Sequence, residues 1–470
     1  MQFTVKDFGP VKDAVLTFGD LTVVCGRNNT GKTYLTYSLY NFLSFATDFF
    51  DGVRVKLPKQ YTDKFVQGGR VEIDGSALIA GYNALFQNGN MRRFREQLQE
   101  LSAVSNEVVI PASFSFSADI EEVRRRWEDF STQRLRLRLP GAGVIEATKK
   151  GKSGKIEFRL MTSPENADQQ PLAQQDAPLQ PGVVEQRLQR FLSHLLNRCL
   201  PEAFVITCER TGISVFRNEF LIYKELAFED DDGIGRYRTL RDRFEFKGYP
   251  RPIRKDLEFV LRYNEVTSQK SALAQAHPDI IGAFEEIVGG EYGLLENNAV
   301  TFKPNGQKAA LTLVEGSSSV RSLAELNFYL KHKAREGQLL IFDEPELNLH
   351  PEAQRRMARL LVRLVNAGIR VFITTHSDYF IREFNALMMM KQLPDAAFAR
   401  VGEKNGYTQA ELLDVKKARF YTLANGTLMP MEAMDGFGIP VRSFDDTIER
   451  FNELYGSIIK EMEHSGDGLA

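Results

Sequence analysis

The sequence predicts an α/β protein with a mostly parallel core sheet, an antiparallel β lobe and a mixed helical and β insertion. Three observations support this fold class. Leu21–Cys25, Gln338–Phe342 and Ile369–Thr374 are apolar on both faces, as strands covered on both sides are. Helix-like segments such as Pro351–Val365 alternate with these strands, which indicates a parallel sheet. Tyr292–Glu296 begins a run of short strands joined by Asn-rich turns, which predicts the antiparallel lobe.

The composition limits the classes of partner. The chain has 470 residues, enough for two or three packed units, and its formal net charge is -2. A charge so close to zero gives no overall attraction to nucleic acid or to a membrane surface. No apolar run approaches the ~18 residues of a membrane span, and the three cysteines show neither disulfide nor zinc-ligand spacing. We therefore expect a cytoplasmic protein without membrane contact.

A glycine-rich loop follows the first buried strand and precedes the predicted helix Thr33–Leu43. In this setting the pattern predicts a phosphate-binding loop, because inward-facing N–H groups and the helix N-terminus attract a β-phosphate. Lys32 is expected to reach the β- and γ-phosphates, and the Thr33 hydroxyl is expected to bind Mg²⁺. The sequence therefore predicts ATP and Mg²⁺ as cofactors. The loop residues are Gly26, Arg27, Asn28, Asn29, Thr30, Gly31, Lys32 and Thr33.

Two adjacent carboxylates follow the apolar strand that ends at Phe342. Asp343 and Glu344 are expected at the carboxyl edge of the sheet, where ligands of open α/β sheets bind. We expect Asp343 to hold Mg²⁺ through water and Glu344 to deprotonate the attacking water. A solvated acidic loop is the alternative interpretation of this pair taken alone.

A histidine ends the third buried strand, in the segment Ile373–Ser377. The His376 imidazole is a candidate to bond the γ-phosphate and to hold the attacking water. A lone histidine at a strand end is more often structural, but the order of His376 after the other two motifs favours a catalytic role.

Together these three motifs resemble the nucleotide-binding domain of the ABC ATPase superfamily. The segment Glu344–Pro351 resembles the branch that contains SMC, RecF and OLD proteins, rather than transporter heads. A narrower resemblance is to the AAA-family ATPases of bacterial anti-phage defence systems, such as the Septu, retron-associated and PARIS ATPases. It rests on three segments, which are Asn28–Tyr34, Glu209–Gly212 and Thr374–Tyr379.

The resemblance implies a fourth motif, supplied by a second copy of the chain. Glu315–Ser322 is the candidate, with Ser318 and Ser319 as the residues expected to contact the γ-phosphate of the facing subunit. The segment departs from the usual Leu-Ser-Gly-Gly-Gln, and serines that merely cap a helix are the alternative. A homodimer or a higher homo-oligomer formed through the ATP sites is therefore expected. The resemblance also implies that Arg210, in the Glu209–Gly212 segment, lies near the nucleotide or a subunit contact, and a structural ion pair is the alternative.

The distance between the motifs along the chain implies a discontinuous domain. Lys32 and Glu344 lie more than 300 positions apart, which is far more than an ABC head needs. We expect residues 1–60, 200–225 and 285–405 to form the ATPase head. Residues 61–199 and 226–284 are expected to form an insertion for a partner or for oligomerisation. Residues 406–470 are expected to form a small C-terminal unit that ends in a charged helix.

Basic residues cluster in the expected insertion. One interpretation is contact with DNA or with a partner protein. The other is a set of solvated faces balanced by neighbouring acids, which we favour. The clusters are Arg92-Arg93-Arg95, Arg124-Arg125-Arg126, Arg134-Arg136-Arg138 and Lys149-Lys150-Lys152-Lys155.

The resemblance implies an ATP-driven sensor and scaffold subunit that controls a separate effector, for which a nuclease is the expected kind. We expect no built-in Toprim nuclease, because no buried parallel strands present acidic residues after the last ATPase strand. A RecF- or SMC-like DNA repair ATPase is the alternative, and a transporter subunit is disfavoured by the long insertion.

Overall fold

The computed structural model describes residues 1–48, 55, 57–86, 89–129, 133–139, 143–149, 154–161, 180–221, 248–432, 438–439 and 453–458. None of the helices within these ranges is both long and apolar enough to cross a lipid bilayer. The strands in them are β1 (Gln2–Phe8), β2 (Val11–Thr17), β3 (Leu21–Cys25), β4 (Arg70–Asp74), β5 (Ser113–Ser117), β6 (Gln133–Leu139), β7 (Gly143–Lys149), β8 (Lys155–Met161), β9 (Ala203–Ile206), β10 (Gly290–Leu294), β11 (Val300–Pro304), β12 (Leu311–Thr312), β13 (Leu339–Asp343), β14 (Arg370–Thr375), β15 (Ala418–Ala424) and β16 (Thr427–Met431).

Helices surround these strands. The α-helices in the described ranges include α1 (Lys32–Asp48), α2 (Lys59–Gly68), α3 (Gly75–Ala80), α4 (Gly89–Ser102), α5 (Asn106–Val109), α6 (Ile120–Asp129), α7 (Pro181–Asn197), α8 (Arg210–Val215), α9 (Arg251–Leu261), α10 (Tyr263–Val266), α11 (Ala272–Ala276), α12 (Pro278–Val288), α13 (Ser318–His332), α14 (Pro351–Asn366), α15 (Asp378–Lys391) and α16 (Asp395–Val401). Single 3₁₀ turns lie at Tyr82–Phe86, Glu403–Asn405, Gln409–Glu411 and Val415–Lys417.

A nine-stranded mixed sheet forms the centre of the molecule, with the order β5-β1-β2-β16-β15-β3-β14-β13-β9. The five strands from β15 to β9 pair in parallel. β1 pairs antiparallel with β2 and β5, and β15 pairs antiparallel with β16. The α/β prediction, with a parallel core and antiparallel strands beside it, is confirmed.

Helices cover both faces of the parallel half, so the apolar residues of its strands divide between two cores. Along β13, Leu339 and Ile341 belong to one core and Leu340 and Phe342 to the other. Because successive side chains of a strand point to opposite faces, a strand covered on both sides must be apolar throughout. All five residues of β3 and of β13 are buried accordingly.

The insertion has a sheet of its own, with the order β4-β8-β7-β6. β7 and β8 pair antiparallel, as predicted for the hairpin around residues 151–154. Most of the predicted exposed loop Thr162–Val183 lies outside the described residues. Its last part differs from the prediction, because α7 begins at Pro181, where proline suits the first helical turn.

The described residues after 405 differ from the small C-terminal unit expected for 406–470, because two strands among them belong to the central sheet. β15 pairs in parallel with β3 and lies inside the nine-stranded sheet, with β16 beside it. β5 of the expected insertion also belongs to this sheet, next to β1. The charged helix expected around Asp446–Glu463 lies mostly outside the described residues, and 453–458 are helical.

The antiparallel lobe is a small sheet with the order β10-β11-β12. The predicted strands Tyr292–Glu296 and Ala299–Lys303 correspond to β10 and β11, shifted by one or two residues. The predicted strand Gln307–Val314 is much shorter, because only Leu311–Thr312 pairs with β11. Local alternation therefore overestimated the length of the last strand.

Basic residues of the insertion are mostly paired with acids where the structure describes them. Such pairing favours solvated, charge-balanced faces over a phosphate-binding surface. Lys149 differs, because it is buried with its ammonium over the Trp127 ring, 5.2 Å from the centroid. The ion pairs are Arg92–Glu96, Arg124–Glu121, Arg126–Glu122, Arg134–Glu146, Arg136–Glu146 and Lys155–Glu72.

Two acidic side chains, Asp256 on α9 and Glu325 on α13, are buried near each other in the core. Thr207 N donates to Asp256 Oδ2 at 2.7 Å. Burial, together with the neighbouring acid, raises the pKa of both carboxyl groups. The folded protein therefore holds protons that the unfolded chain releases at about pH 4.

We predict that Glu325→Gln makes the protein less sensitive to rising pH. The wild type loses stability as pH rises from about 4 toward the raised pKa values, because only the unfolded state deprotonates freely. For each unit by which the pKa of a carboxyl group is higher in the folded than in the unfolded state, the free energy of unfolding falls by about 1.4 kcal/mol as the pH rises through both pKa values. The melting temperature of the variant relative to wild type should therefore increase between about pH 5 and pH 8. Glu291→Gln, at an exposed position of β10, is the control. A constant difference across this pH range would contradict the prediction.

Candidate nucleotide-binding site

The glycine-rich loop joins β3 to α1 at the carboxyl edge of the parallel strands. Two of its glycines are required by close contacts. A Cβ on Gly26 would lie 2.5 Å from the carbonyl oxygen of Leu423 on β15. Gly31 has φ +104°, and its Cβ would lie 2.9 Å from Val11. The loop is thus held between β15 and the start of β2, and side chains at these positions would displace it.

Lys32 is the first residue of α1 and is almost fully buried. Its Nζ donates to the carbonyl oxygens of Gly26 and Arg27, each at 3.0 Å, and lies 3.4 Å from His376 Nδ1. Burial lowers the pKa of Lys32, whereas Glu344, Asp343 and other acids raise it. The ammonium group is therefore held at the mouth of the loop and close to the expected carboxylates.

Glu344 and His376 make direct contact across neighbouring strands. His376 Nε2 lies 2.6 Å from Glu344 Oε1. If His376 carries its proton on Nε2, Nδ1 is free to accept from Lys32, so Lys32, His376 and Glu344 form one chain of hydrogen bonds. The bond from His376 is the main cause of the lowered pKa of Glu344. A carboxylate with a lowered pKa is ionised at neutral pH, as a proton acceptor must be.

Asp343 is the last residue of β13 and is almost fully buried. Thr374 Oγ1 donates to Asp343 Oδ1, while Asp343 Oδ2 is buried without a hydrogen-bond partner. Burial is the main cause that raises the pKa of Asp343 to about 6. A buried carboxylate oxygen without a partner is costly unless a cation or water satisfies it. Its chemistry therefore suits an Mg²⁺ ion and its water shell, which favour carboxylate oxygens.

Glu346 also belongs to the site, although the sequence pattern predicts no separate role for it. Its Oε1 accepts from the His376 backbone N–H at 2.6 Å and from Thr375 Oγ1 at 2.9 Å. Burial raises the pKa of this carboxyl group. Glu346 thus fixes the backbone at the end of β14, from which His376 projects. The signals in the sequence were its place in the family-like segment Glu344–Pro351 and its position two residues after Glu344.

A cavity of about 770 Å³ opens between these segments. It brings together the glycine-rich loop from the start of the chain and two side chains from the end of the parallel sheet. Asp343, Ser318 and Ser319 do not line it. The lining residues are Pro10, Asn28, Asn29, Gly31, Lys32, Thr33, Tyr34, Glu344 and His376.

A larger cavity of about 1070 Å³ lies beside α14 and α15, and several arginines line it. Arg355 and Arg359 both bond Glu383, and Arg363 bonds Glu411. Because these cations are already neutralised, the larger cavity lacks the free positive charge that a triphosphate needs. The smaller cavity is the better candidate for a nucleotide.

The serine-rich segment lies at the N-terminus of α13. Ser317 caps the helix, since its Oγ accepts from Val320 N at 3.3 Å, and it bonds Ser319 Oγ at 2.8 Å. The capping interpretation therefore applies to Ser317. Ser318 is exposed and Ser319 is half-buried in the first turn. The exposed first turn leaves Ser318 accessible to another molecule.

The Glu209–Gly212 segment contacts α1 and the residues from Asp343 to Asn348. Tyr37 on α1 donates to Glu209 Oε2 at 2.8 Å, and Asn348 Nδ2 donates to Thr211 Oγ1 at 3.2 Å. Arg210 is fully buried and donates to the carbonyl oxygens of Asp343 and Glu344. Arg210 therefore has a structural role, but it bonds backbone carbonyl oxygens and not the carboxylate that an ion pair requires.

Comparisons with known proteins give one family and a set of structures. No curated protein sequence matches the chain. A crystal structure of an SMC head bound to the C-terminal winged-helix domain of ScpA is similar at 11% identity, with a TM-score of 0.33, over 91% of this chain and 96% of that chain. An SMC head domain from Pyrococcus furiosus bound to the C-terminal domain of ScpA is 12% identical, with a TM-score of 0.32, over 97% and 98%. One from Thermotoga maritima is 12% identical, with a TM-score of 0.30, over 92% and 98%.

The family model for the AAA ATPase domain matches residues 1–171 and 238–381, which is more than half of the chain. The matched residues include the glycine-rich loop, the Asp343–Glu344 pair and His376. The chain therefore belongs to the AAA ATPase domain family.

Proposed function

We propose that this ATPase is the sensor and scaffold subunit of an anti-phage defence system. In this proposal it binds MgATP, hydrolyses it slowly and assembles as a homo-oligomer through its ATP sites. The oligomer controls a separate effector protein, which is expected to be a nuclease.

The observation that carries the chemistry is the chain of hydrogen bonds from Lys32 through His376 to Glu344 at one cavity. A phosphate-binding lysine and a general base must lie within reach of the same γ-phosphate. These hydrogen bonds place side chains more than 300 positions apart beside the glycine-rich loop, where they could contact one common ligand.

The residues present suit Mg²⁺. Thr33 Oγ1 and the unpartnered Oδ2 of Asp343 would hold the ion, the latter through water. When bound, Mg²⁺ would neutralise part of the charge on the β- and γ-phosphates.

Hydrolysis requires a water molecule aimed at the γ-phosphorus. We assign Glu344 as the base that orients this water and accepts its proton, because its carboxylate is ionised and borders the cavity. His376 fixes the Glu344 carboxylate and lies within reach of a γ-phosphate next to Lys32. The products are ADP and inorganic phosphate.

The second half of each site would come from a second copy of the chain. Ser318 and Ser319 do not line the cavity of their own chain, and Ser318 is exposed at a helix N-terminus, where anions bind. Closing two heads around two ATP molecules would supply these donors to the facing site and make turnover slow.

The defence role rests on the resemblance of three segments to anti-phage ATPases. Two of these segments meet through Lys32 and His376, and the third bonds α1 and the end of β13, which is consistent with a joint role. The DNA-repair alternative receives little support from the basic clusters, whose described members are mostly neutralised by acids.

We predict that Glu344→Gln binds ATP with wild-type affinity and hydrolyses it on the order of 10²–10⁴ times more slowly, because the proton acceptor is lost. The variant should accumulate as an ATP-bound oligomer. Phosphate release and particle mass by light scattering, with and without ATP, measure both effects. Glu291→Gln is the control. Hydrolysis at the wild-type rate would remove Glu344 from the mechanism.

We predict that sites shared between subunits allow complementation. Ser318→Glu should abolish hydrolysis by repelling the facing γ-phosphate, while an acid at this helix N-terminus does not weaken the helix. Lys32→Ala should abolish it by removing the phosphate contact. A mixture of the two inactive variants should regain activity, because one site of each mixed dimer is intact. Ala396→Glu, at the exposed start of α16, is the charge control. An inactive mixture that nevertheless forms mixed dimers would contradict the shared site.

We predict that cells expressing the protein with its neighbouring gene lose phage protection when Lys32 is changed to Ala. Lys308→Ala, in an exposed loop, should protect as the wild type does. Plaque counts measure protection, and affinity purification should recover the product of the neighbouring gene. Normal protection by both Lys32→Ala and Glu344→Gln would exclude the ATPase cycle from the function.

A further inference from the structure

Arg210, the first residue of α8, has a fully buried guanidinium group that bonds backbone carbonyl oxygens. Its Nη1 donates to Asp343 O at 2.8 Å, and its Nη2 donates to Glu344 O at 2.7 Å. The remaining bonds are from Nη1 to Thr207 O at 2.9 Å and from Nε to Ser322 O at 3.0 Å. One side chain thus joins the end of β9, the start of α13 and the two residues that carry the carboxylates of the site.

Burying the charged side chain of Arg210 costs free energy of folding. This cost argues that its N–H donors have a specific role. Burial lowers the pKa of the guanidinium group, and nearby acids such as Asp343 and Glu325 compensate only in part. The group also lies over the Phe342 ring, 4.9 Å from the centroid. An apolar side chain would fill the same space without desolvating a charge. Only a planar group with several fixed donors can hold four carbonyl oxygens at once.

The Glu344 backbone is in a conformation that its side chain disfavours. Its φ is +49°, in the left-handed region that residues other than glycine rarely adopt. Hydrogen bonds hold both sides of the residue. Glu344 N donates to the backbone oxygen and to Oγ1 of Thr374, both at 3.2 Å, and Glu344 O accepts from Arg210. In this conformation Glu344 Oε1 lies 2.6 Å from His376 Nε2.

We propose that Arg210 is a positioning residue for hydrolysis, which holds the strained backbone of Glu344 so that its carboxylate faces the cavity. The inference rests on the proposed function, in which Glu344 is the general base. Arg210 touches neither the cavity nor the nucleotide contacts of the glycine-rich loop. It therefore acts on the rate of the chemical step and leaves ATP binding unchanged.

The test compares Arg210→Lys with Arg217→Lys. Arg217 is a matched control, because it is also a buried arginine that bonds two backbone carbonyls, but these belong to Val260 and Asn298 and not to Asp343 or Glu344. Lysine keeps the charge and loses the fork of donors. Arg210→Lys should lower kcat on the order of 10–10²-fold, since small displacements of a catalytic group have effects of this size. The Kd for ATP should stay within about twofold, and Arg217→Lys should keep both values.

Combination with Glu344→Gln separates positioning from general damage. If Arg210 acts through the Glu344 carboxylate, Arg210→Lys should reduce hydrolysis no further once that carboxylate is gone. The inference would be overturned if the losses of kcat from Arg210→Lys and Glu344→Gln multiplied in the double variant. An unchanged kcat for Arg210→Lys would also overturn it, as would equal losses of kcat for Arg210→Lys and Arg217→Lys. Arg210→Gln, which keeps two donors, is the second variant if lysine prevents folding. Unfolding of both Arg210 variants while Arg217→Lys folds would assign Arg210 to stability alone.

The same series distinguishes failure of this inference from failure of the proposed function. Wild-type hydrolysis by Glu344→Gln would remove the base and the inference with it. An inactive Glu344→Gln together with a fully active Arg210→Lys would keep the proposed function and reject only the positioning role.

Discussion

The side-by-side pairing of three parallel strands is the constraint on which the site depends. β3 pairs with β14, and β14 pairs with β13, in one direction and in continuous register. Parallel strands end at the same edge, so the glycine-rich loop, His376 and the Asp343–Glu344 pair are delivered to one place. Side-chain bonds then refine what the backbone has aligned. Thr374 on β14, for example, bonds both Asp343, the last residue of β13, and the N–H of Glu344, the next residue.

Features encoded by neighbouring residues were predictable from the sequence. The strands β3, β13 and β14 are apolar on both faces because helices cover them, and the glycine-rich loop has its pattern because close backbone contacts exclude side chains. Features that depend on contacts between distant parts of the chain were not predictable. No local pattern places β15 beside β3, because a strand does not encode its partner. Glu346 gained its bonds to Thr375 and His376 only when the end of β14 was placed beside it, and the bonds of Arg210 join three segments. The cap by Ser317, in contrast, is local and was among the expected alternatives.

Opposite charges are concentrated around the cavity, and most are shielded from water. Lys32 and Arg210 are buried close to Asp343, Glu344 and Glu346. Each of these charges alone would strongly destabilise the fold in such surroundings, so the buried charges are stable only when charges of opposite sign lie beside them. A triphosphate and its cation add charges of both signs to this set. Substitutions that remove one member should therefore alter the pKa values of the others as well as the contact that is lost.

The place of β15 has a consequence for how the chain acquires its shape during synthesis. β3 is synthesised more than 300 residues before both of its neighbours in the sheet, β14 and β15. Until about residue 424 has emerged, β3 has an unpaired edge, and such edges invite wrong pairing. Closure of very long loops also slows folding. The glycine-rich loop that follows β3 therefore gains its complete sheet framework only after β14 and β15 have been translated.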